Sequence, residues 1–176
     1  LLINFDAKSG ELLFSKLKNY PIKLGDTDNV IILDYDKKRY TAASNIQIKD
    51  EQATPIFSVV DKSDDSAKLT STNLPNIILT KKITLVEDSH QLLVTNSVFN
   101  NSEQNIYVRN YEIISRDNNS TASLMLPTYT GSAYYDSEDK FSKISFDDML
   151  ENEQAIRAQD SWISMIEHYF LSLIHI

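Results

Sequence analysis

Cysteine is absent from this 176-residue chain, which excludes a disulfide framework, a thiolate nucleophile and any cysteine-ligated zinc or iron–sulfur site. Glycine is almost as scarce, with three residues, and proline contributes four, so other residues must make most of the turns. There is no Gly-rich phosphate loop, no Gly-x-Ser-x-Gly elbow and no His-Glu-x-x-His motif. No apolar run reaches the roughly 18 residues of a helical membrane span. The opening Leu1-Leu2-Ile3 passes at once into polar residues and lacks the basic start of a secretory signal. Basic residues are in the minority, 17 against 25 acidic, giving a net charge of −8 and a pI near 4.8. A surface of that sign repels phosphates and anionic head groups, so no nucleic-acid partner is expected. Two local basic clusters, Lys37-Lys38-Arg39 and Lys81-Lys82, are expected on solvated faces.

What is present suffices for a core. Apolar residues make up 41% of the chain, with seven Phe, nine Tyr and one Trp, and the length fits a single domain over residues 1–176. The chain opens in a strand-like pattern and ends on Ser172-Leu173-Ile174-His175-Ile176 without a polar tail, as a fragment would. Turn signals built on Asn, Asp and Ser fall at Lys8–Gly10, Gly25–Asn29, Asp61–Ser66, Asn73–Asn76, Glu87–His90, Asn100–Glu103 and Asp117–Ser120. Between them Ile77, Leu79, Ile83 and Leu85 keep one parity, and Leu92, Val94 and Val98 keep one after the next turn. Alternation across a turn predicts a hairpin of Ile77–Val86 with Gln91–Phe99. Residues Ile106–Ile114 are expected as a strand apolar on both faces, as in the inner sheet of a sandwich. Ile83, Leu85, Val94, Val98 and Phe146 are expected to be buried between sheets.

Two segments break the strand pattern. Ser145-Phe146-Asp147-Asp148 sets a Ser three residues before an acid, a capping-box signal for a short helix through Glu153. Trp162, Met165, Ile166, Tyr169, Phe170, Leu173 and Ile174 fall at helical spacing. Their residue types equally suit a strand buried on both faces.

Residues that could carry chemistry are few. His90 falls in a turn, His168 between apolar neighbours and His175 near the end, and none has metal-pair spacing or an acidic cluster beside it. Asp64-Asp65 belongs to a loop, while Asp147-Asp148 suits a helix N-terminus. Glu112, set in an apolar strand, is expected to be hydrogen-bonded or edge-facing rather than a general base.

The segment from Gly131 to Met149, with Ser161 to Ser172 after it, resembles the periplasmic domain of YidC-type bacterial membrane protein insertases. The resemblance rests on Gly131, Ala133 and Tyr134, on the run Asp139, Lys140, Phe141 and Lys143, on Phe146-Asp147, and on Trp162, Met165, Tyr169 and Phe170. Weaker similarity covers Gly10–Leu12 through Tyr20-Pro21 and the Thr80–Asn101 hairpin. It implies an all-β fold, a β-supersandwich of two stacked antiparallel sheets similar to galactose mutarotase, incomplete at the C-terminus and with at most one or two short helices. By the same resemblance Trp162–Leu173 is extended, with an irregularity near Glu167-His168. The implied function is that of a non-catalytic domain at the periplasmic face of the inner membrane. It would assist insertion and folding of nascent inner-membrane proteins, alone or with the Sec translocon and SecDF, and would need no cofactor. The signature residues Gly131, Ala133, Tyr134, Lys140, Phe141, Phe146, Asp147, Trp162, Met165, Tyr169 and Phe170 are then structural or partner contacts. Departing from the family, the Tyr-Phe stretch is followed by Leu173-Ile174-His175-Ile176 instead of an aromatic and a proline. Two alternatives stay open: a mutarotase-like domain that binds or epimerises sugars, and a generic extracellular adhesion module.

Overall fold

The computed structural model describes residues 1–49, 51, 53–118, 129–138, 140–151, 156, 159–167 and 170–175. The chain forms two compact units, Leu1–Ser115 and Arg116–Ile176.

The first unit runs β1 (Leu2–Phe5), β2 (Leu12–Pro21), β3 (Asn29–Asp34), α1 (Tyr35–Lys38), β4 (Thr41–Ile48), β5 (Phe57–Lys62), β6 (Ser66–Ser71), β7 (Ile77–Leu85), β8 (Leu92–Asn100) and β9 (Val108–Ser115). These strands make two antiparallel sheets. One has the order β1-β2-β4-β9, with β3 also paired to β2, and the other the order β5-β6-β7-β8. Polar side chains make the reversals, as the scarcity of glycine requires. In the β1–β2 turn the Asp6 carboxylate accepts the N–H groups of Lys8 and Ser9 at 2.9 and 2.7 Å, and Gly10 takes a positive φ of 70°. After β8, Asn100 Oδ1 accepts the Ser102 N–H at 3.0 Å.

The β7–β8 hairpin forms as its alternation predicts, from Ile77 opposite Asn100 to Leu85 opposite Leu92. Its Ile77, Leu79 and Ile83 are buried, whereas Ile78 and Lys82 are exposed. The two sheets face one another through these residues. Ile77 and Leu79 pack on Ile48 of the other sheet, and Ala67, Leu69 and Ile83 gather Ile3, Phe5 and Leu12. Each such side chain contributes about 1.5–3 kcal/mol by leaving water.

Three expectations need correction here. Leu85, Val94 and Val98 are half-buried rather than buried; Val94 and Val98 do pack on the core between the sheets, but from the end strand β8. The strand expected over Ile106–Ile114 forms as β9 at the end of its sheet order, but it is not buried on both faces, because Val108, Tyr111 and Ile113 remain exposed. Lys81 is not solvated: it is 1% exposed, while its neighbour Lys82 points to water.

The second unit runs β10 (Thr130–Asp136), β11 (Lys140–Ile144), α2 (Phe146–Glu151), β12 (Trp162–Glu167) and β13 (Phe170–His175). Its strands form one antiparallel sheet of order β11-β10-β12-β13. The conflict over Trp162–Ile174 is resolved as extended structure. It is a hairpin rather than one strand, with Trp162 opposite His175 and Glu167 opposite Phe170. His168 and Tyr169, between the two strands, lie outside the described residues, as does Asp139. Helix α2 is capped as its sequence predicts. Ser145 Oγ accepts the Asp148 N–H at 3.1 Å, and the Asp148 carboxylate accepts the Ser145 N–H at 3.2 Å. Phe146 therefore opens a helix and is half-buried, not sandwiched between sheets, and the Arg116 guanidinium lies 5.5 Å from its ring centre. The expected end at Glu153 lies outside the described residues. The all-β class thus holds, with two short helices among the described residues.

Candidate functional site

Most of the described signature residues of the second unit fall on its sheet, with Phe146 and Asp147 on α2, and packing accounts for several of them. Gly131 of β10 is buried, and a Cβ there would meet the Tyr129 hydroxyl at 2.6 Å and the Ile144 carbonyl at 3.1 Å. That hydroxyl lies 2.6 Å from the Ser132 carbonyl and 2.9 Å from the Ile144 carbonyl, closing the start of β10 onto the end of β11. Ala133, two residues on, is wholly buried, and its carbonyl accepts the buried Ser164 hydroxyl from β12 at 3.1 Å. The Gly-x-Ala spacing thus keeps side-chain bulk off one face of a central strand.

Beside these small residues runs an aromatic row. Phe141, Tyr135 and Trp162 are direct neighbours across β11, β10 and β12. Tyr135 and Trp162 stack with ring centres 6.2 Å apart, and Phe141 tilts against Trp162 at 6.0 Å. Two lysines border the row. Lys143 Nζ stands 4.5 Å from the Tyr129 ring centre and 6.0 Å from that of Phe141, and Lys140 Nζ donates to the Ser137 carbonyl at 2.7 Å. Lys140 takes a positive φ of 61° where the hairpin re-enters β11, with the Asp136 carboxylate accepting the Glu138 N–H at 2.8 Å in the same turn. Tyr134, opposite Ser142 and Ile163, is half-buried, Met165 of β12 is buried, and Phe170 of β13 and Asp147 of α2 are exposed. The structure therefore brings Gly131, Ala133, Tyr134, Phe141, Trp162, Met165 and Phe170 onto one sheet, with Asp147 on the helix that follows β11. Tyr135, the centre of the aromatic row, was missed; its place in the alternation after Ala133 is the signal that marks it.

The first unit holds a second polar centre. Lys81 Nζ donates to the Ser9 carbonyl at 3.1 Å and to Asn45 Oδ1 at 2.9 Å, and it lies 5.3 Å from the Phe57 ring centre. Nearby, Glu112 Oε1 accepts the Ser44 hydroxyl at 2.9 Å and the Asn110 amide at 2.6 Å. The Asn96 amide donates to Ser44 Oγ at 2.7 Å and to Asn110 Oδ1 at 3.0 Å. Glu112 Oε2 is buried with no hydrogen-bond partner among the described residues. Burial pushes the Lys81 amine down to about 8, opposed by the fields of Glu112 and Glu11. Burial likewise raises the Glu112 carboxyl, opposed by its hydrogen bonds to Ser44 and Asn110 and by Lys81. A cavity of about 80 Å³ adjoins the amine, walled by Thr54, Pro55, Phe57, Asn96 and Tyr111 among others. Glu112 is hydrogen-bonded, as expected of it.

Among the described residues no three His, Asp or Glu side chains stand close enough to hold a metal ion, and no helix is long and apolar enough to cross a membrane. His90 lies in its turn against the Tyr20 ring, at 5.3 Å between centres.

Fold and geometry together define an all-β sheet-packing module whose distinctive residues are explained by close strand packing and an aromatic row. More narrowly, the chain belongs to the YidC periplasmic domain family, whose model matches residues 1–174. It is similar to the membrane protein insertase YidC of Haemophilus ducreyi, 28% identical over 98% of this chain and 34% of that protein. The corresponding protein of Thioalkalivibrio sulfidiphilus is 30% identical over 97% of the chain and 34% of its own length. That of Methylobacillus flagellatus is 39% identical over 52% of the chain and 17% of its length. The chain spans about a third of the length of the full-coverage relatives it matches.

Proposed function

We propose that this chain is a non-catalytic accessory domain of a bacterial membrane protein insertase. It would stand at the periplasmic face of the inner membrane and assist the insertion and folding of nascent inner-membrane proteins. The observation that carries this reading is the family match over residues 1–174, on a fold of antiparallel sheets. The same match runs through both compact units, which favours treating residues 1–176 as parts of one domain. The polar centre at Lys81 and Glu112 suits a structural role better than acid–base catalysis. Each group is already engaged by protein partners, and no histidine is among them.

The partner-facing surface in this reading is the aromatic row with its lysines. Phe141 is exposed on the end strand β11, and Lys143 is exposed beside it. An aromatic surface edged by cations offers apolar contact and charge complementarity at once. The partners are the Sec translocon, SecDF and the periplasmic loops of client proteins. A photo-reactive residue placed at Phe141 in the insertase, irradiated in living cells, tests this. Covalent capture of a translocon subunit, SecDF or a nascent client is expected. Capture of none of them, with the insertase still functional, contradicts the assignment of this surface.

A further inference from the structure

The β1–β2 turn lies directly over the buried Lys81 side chain. Gly10 has no side chain where a Cβ would stand 2.7 Å from Lys81 Cδ and 3.1 Å from Nζ, and the Ser9 carbonyl bonds the amine itself. The turn is tied to the facing sheet a second time by the Phe57 N–H, which donates to the Lys8 carbonyl at 2.8 Å. The ammonium donates to the Ser9 carbonyl and to Asn45 Oδ1, and it lies 5.3 Å from the Phe57 ring centre. The charged groups that face it are Glu112 from β9 and Glu11, the last residue of the turn itself, just before β2. The strands beside it present Leu69 and Asn96, β4 presents Asn45 and β5 presents Phe57. The turn also borders the cavity beside the amine through Ser9.

We propose that the Asp6–Glu11 turn is a lid over Lys81 that opens more readily when the amine is protonated and shuts when the amine is neutral. The sign follows from linkage. Enclosure disfavours the charged amine, so the closed form has its pKa pushed down to about 8 against an ordinary value of 10.5. An opened lid returns the amine to water and toward that ordinary value, so the open form binds the proton more tightly. Opening is therefore favoured below the closed-form value and suppressed as pH rises between the two. The Asp6 carboxylate, held low by its bonds to the lid's own N–H groups, stays ionised throughout this range and does not contribute.

Amide hydrogen exchange of the Phe57 N–H between pH 7 and 9.5, corrected for intrinsic base catalysis, tests the proposal. The reference is the Asn101 N–H, which bonds the Asn76 carbonyl at the far end of the β7–β8 hairpin. The opening constant at Phe57 is expected to fall about 30-fold across that range, while that at Asn101 does not change. Glu112→Gln removes a carboxylate that favours the charged amine, so the midpoint should move to lower pH. Lys81→Met should abolish the pH dependence; should that variant not fold, the wild-type and Glu112→Gln profiles decide. A flat corrected profile at Phe57 overturns the lid. So does one that rises with pH, because the charged amine would then be the clasp that holds the turn shut.

Discussion

Ile83 and Phe146 share an apolar character in the sequence and differ in environment. Ile83 is 2% exposed at the centre of the first unit, so Ile83→Ala should cost about 2–4 kcal/mol in denaturant unfolding. Phe146 is half-buried at the start of α2, and its truncation should cost about 1–2 kcal/mol less than that. Equal losses at the two sites would contradict their placement. Lys81 shows where alternation was legible and was overridden by residue type. It occupies the inward parity of Ile77, Leu79, Ile83 and Leu85, yet its charge argued for solvent. Inside, Ser9, Asn45 and Phe57 take up the ammonium, a set drawn from three places in the chain that no local pattern reveals. Its folded-state pKa, about 8, lies below the unfolded 10.5, so between those values the unfolded chain binds more protons. Stability should then rise with pH from about 8 to 10.5, by up to about 3 kcal/mol from this group. Glu112 acts in the opposite sense at lower pH. Its raised carboxyl keeps a proton longer in the folded state, and stability from it declines as pH climbs above its unfolded value of 4.5. Unfolding midpoints of wild type and Lys81→Met, followed from pH 7 to 10.5, check the alkaline limb. The rise should vanish in the variant.

At the scale of elements, turn and cap chemistry carried the most information. The β7–β8 hairpin and helix α2 were both visible because their signals are local: alternation about a polar turn in one, Ser145 and Asp148 in the other. Ser145→Ala removes the hydroxyl that accepts the Asp148 N–H and donates to its carboxylate at 2.6 Å. It should cost about 1 kcal/mol, and Ser145→Asp should recover most of that loss. Strand β9 forms where its residue types suggest, but burial on both faces does not follow from them, because the cover of a strand is set by distant partners. The Trp162–Ile174 segment defeats periodicity outright. Two short strands folded back on each other, Trp162–Glu167 and Phe170–His175, place apolar residues at intervals that also fit a helix. Family resemblance resolved what spacing alone left open. The small residues Gly131 and Ala133 were legible only as a motif, and their reason, contact with Tyr129 and Ser164, needs the sheet to be seen.

At the scale of the whole molecule, the chain is a set of antiparallel sheets that belongs to the YidC periplasmic domain family. Long alternating strands, polar turns and a shortage of glycine point to the fold class. The proposed partners rest on the family and on the aromatic row, and no pattern of residue types specifies them. With no cysteine in this chain, the proposal that the domain faces the periplasm within an insertase is open to one direct measurement. Ser97 lies exposed on β8, so Ser97→Cys gives the domain a single reactive thiol away from the core. In cells with a permeabilised outer membrane and an intact inner membrane, a membrane-impermeant maleimide should label that thiol in the insertase as fully as in lysed cells. Labelling only after the inner membrane is broken would place the domain on the other side and contradict the account.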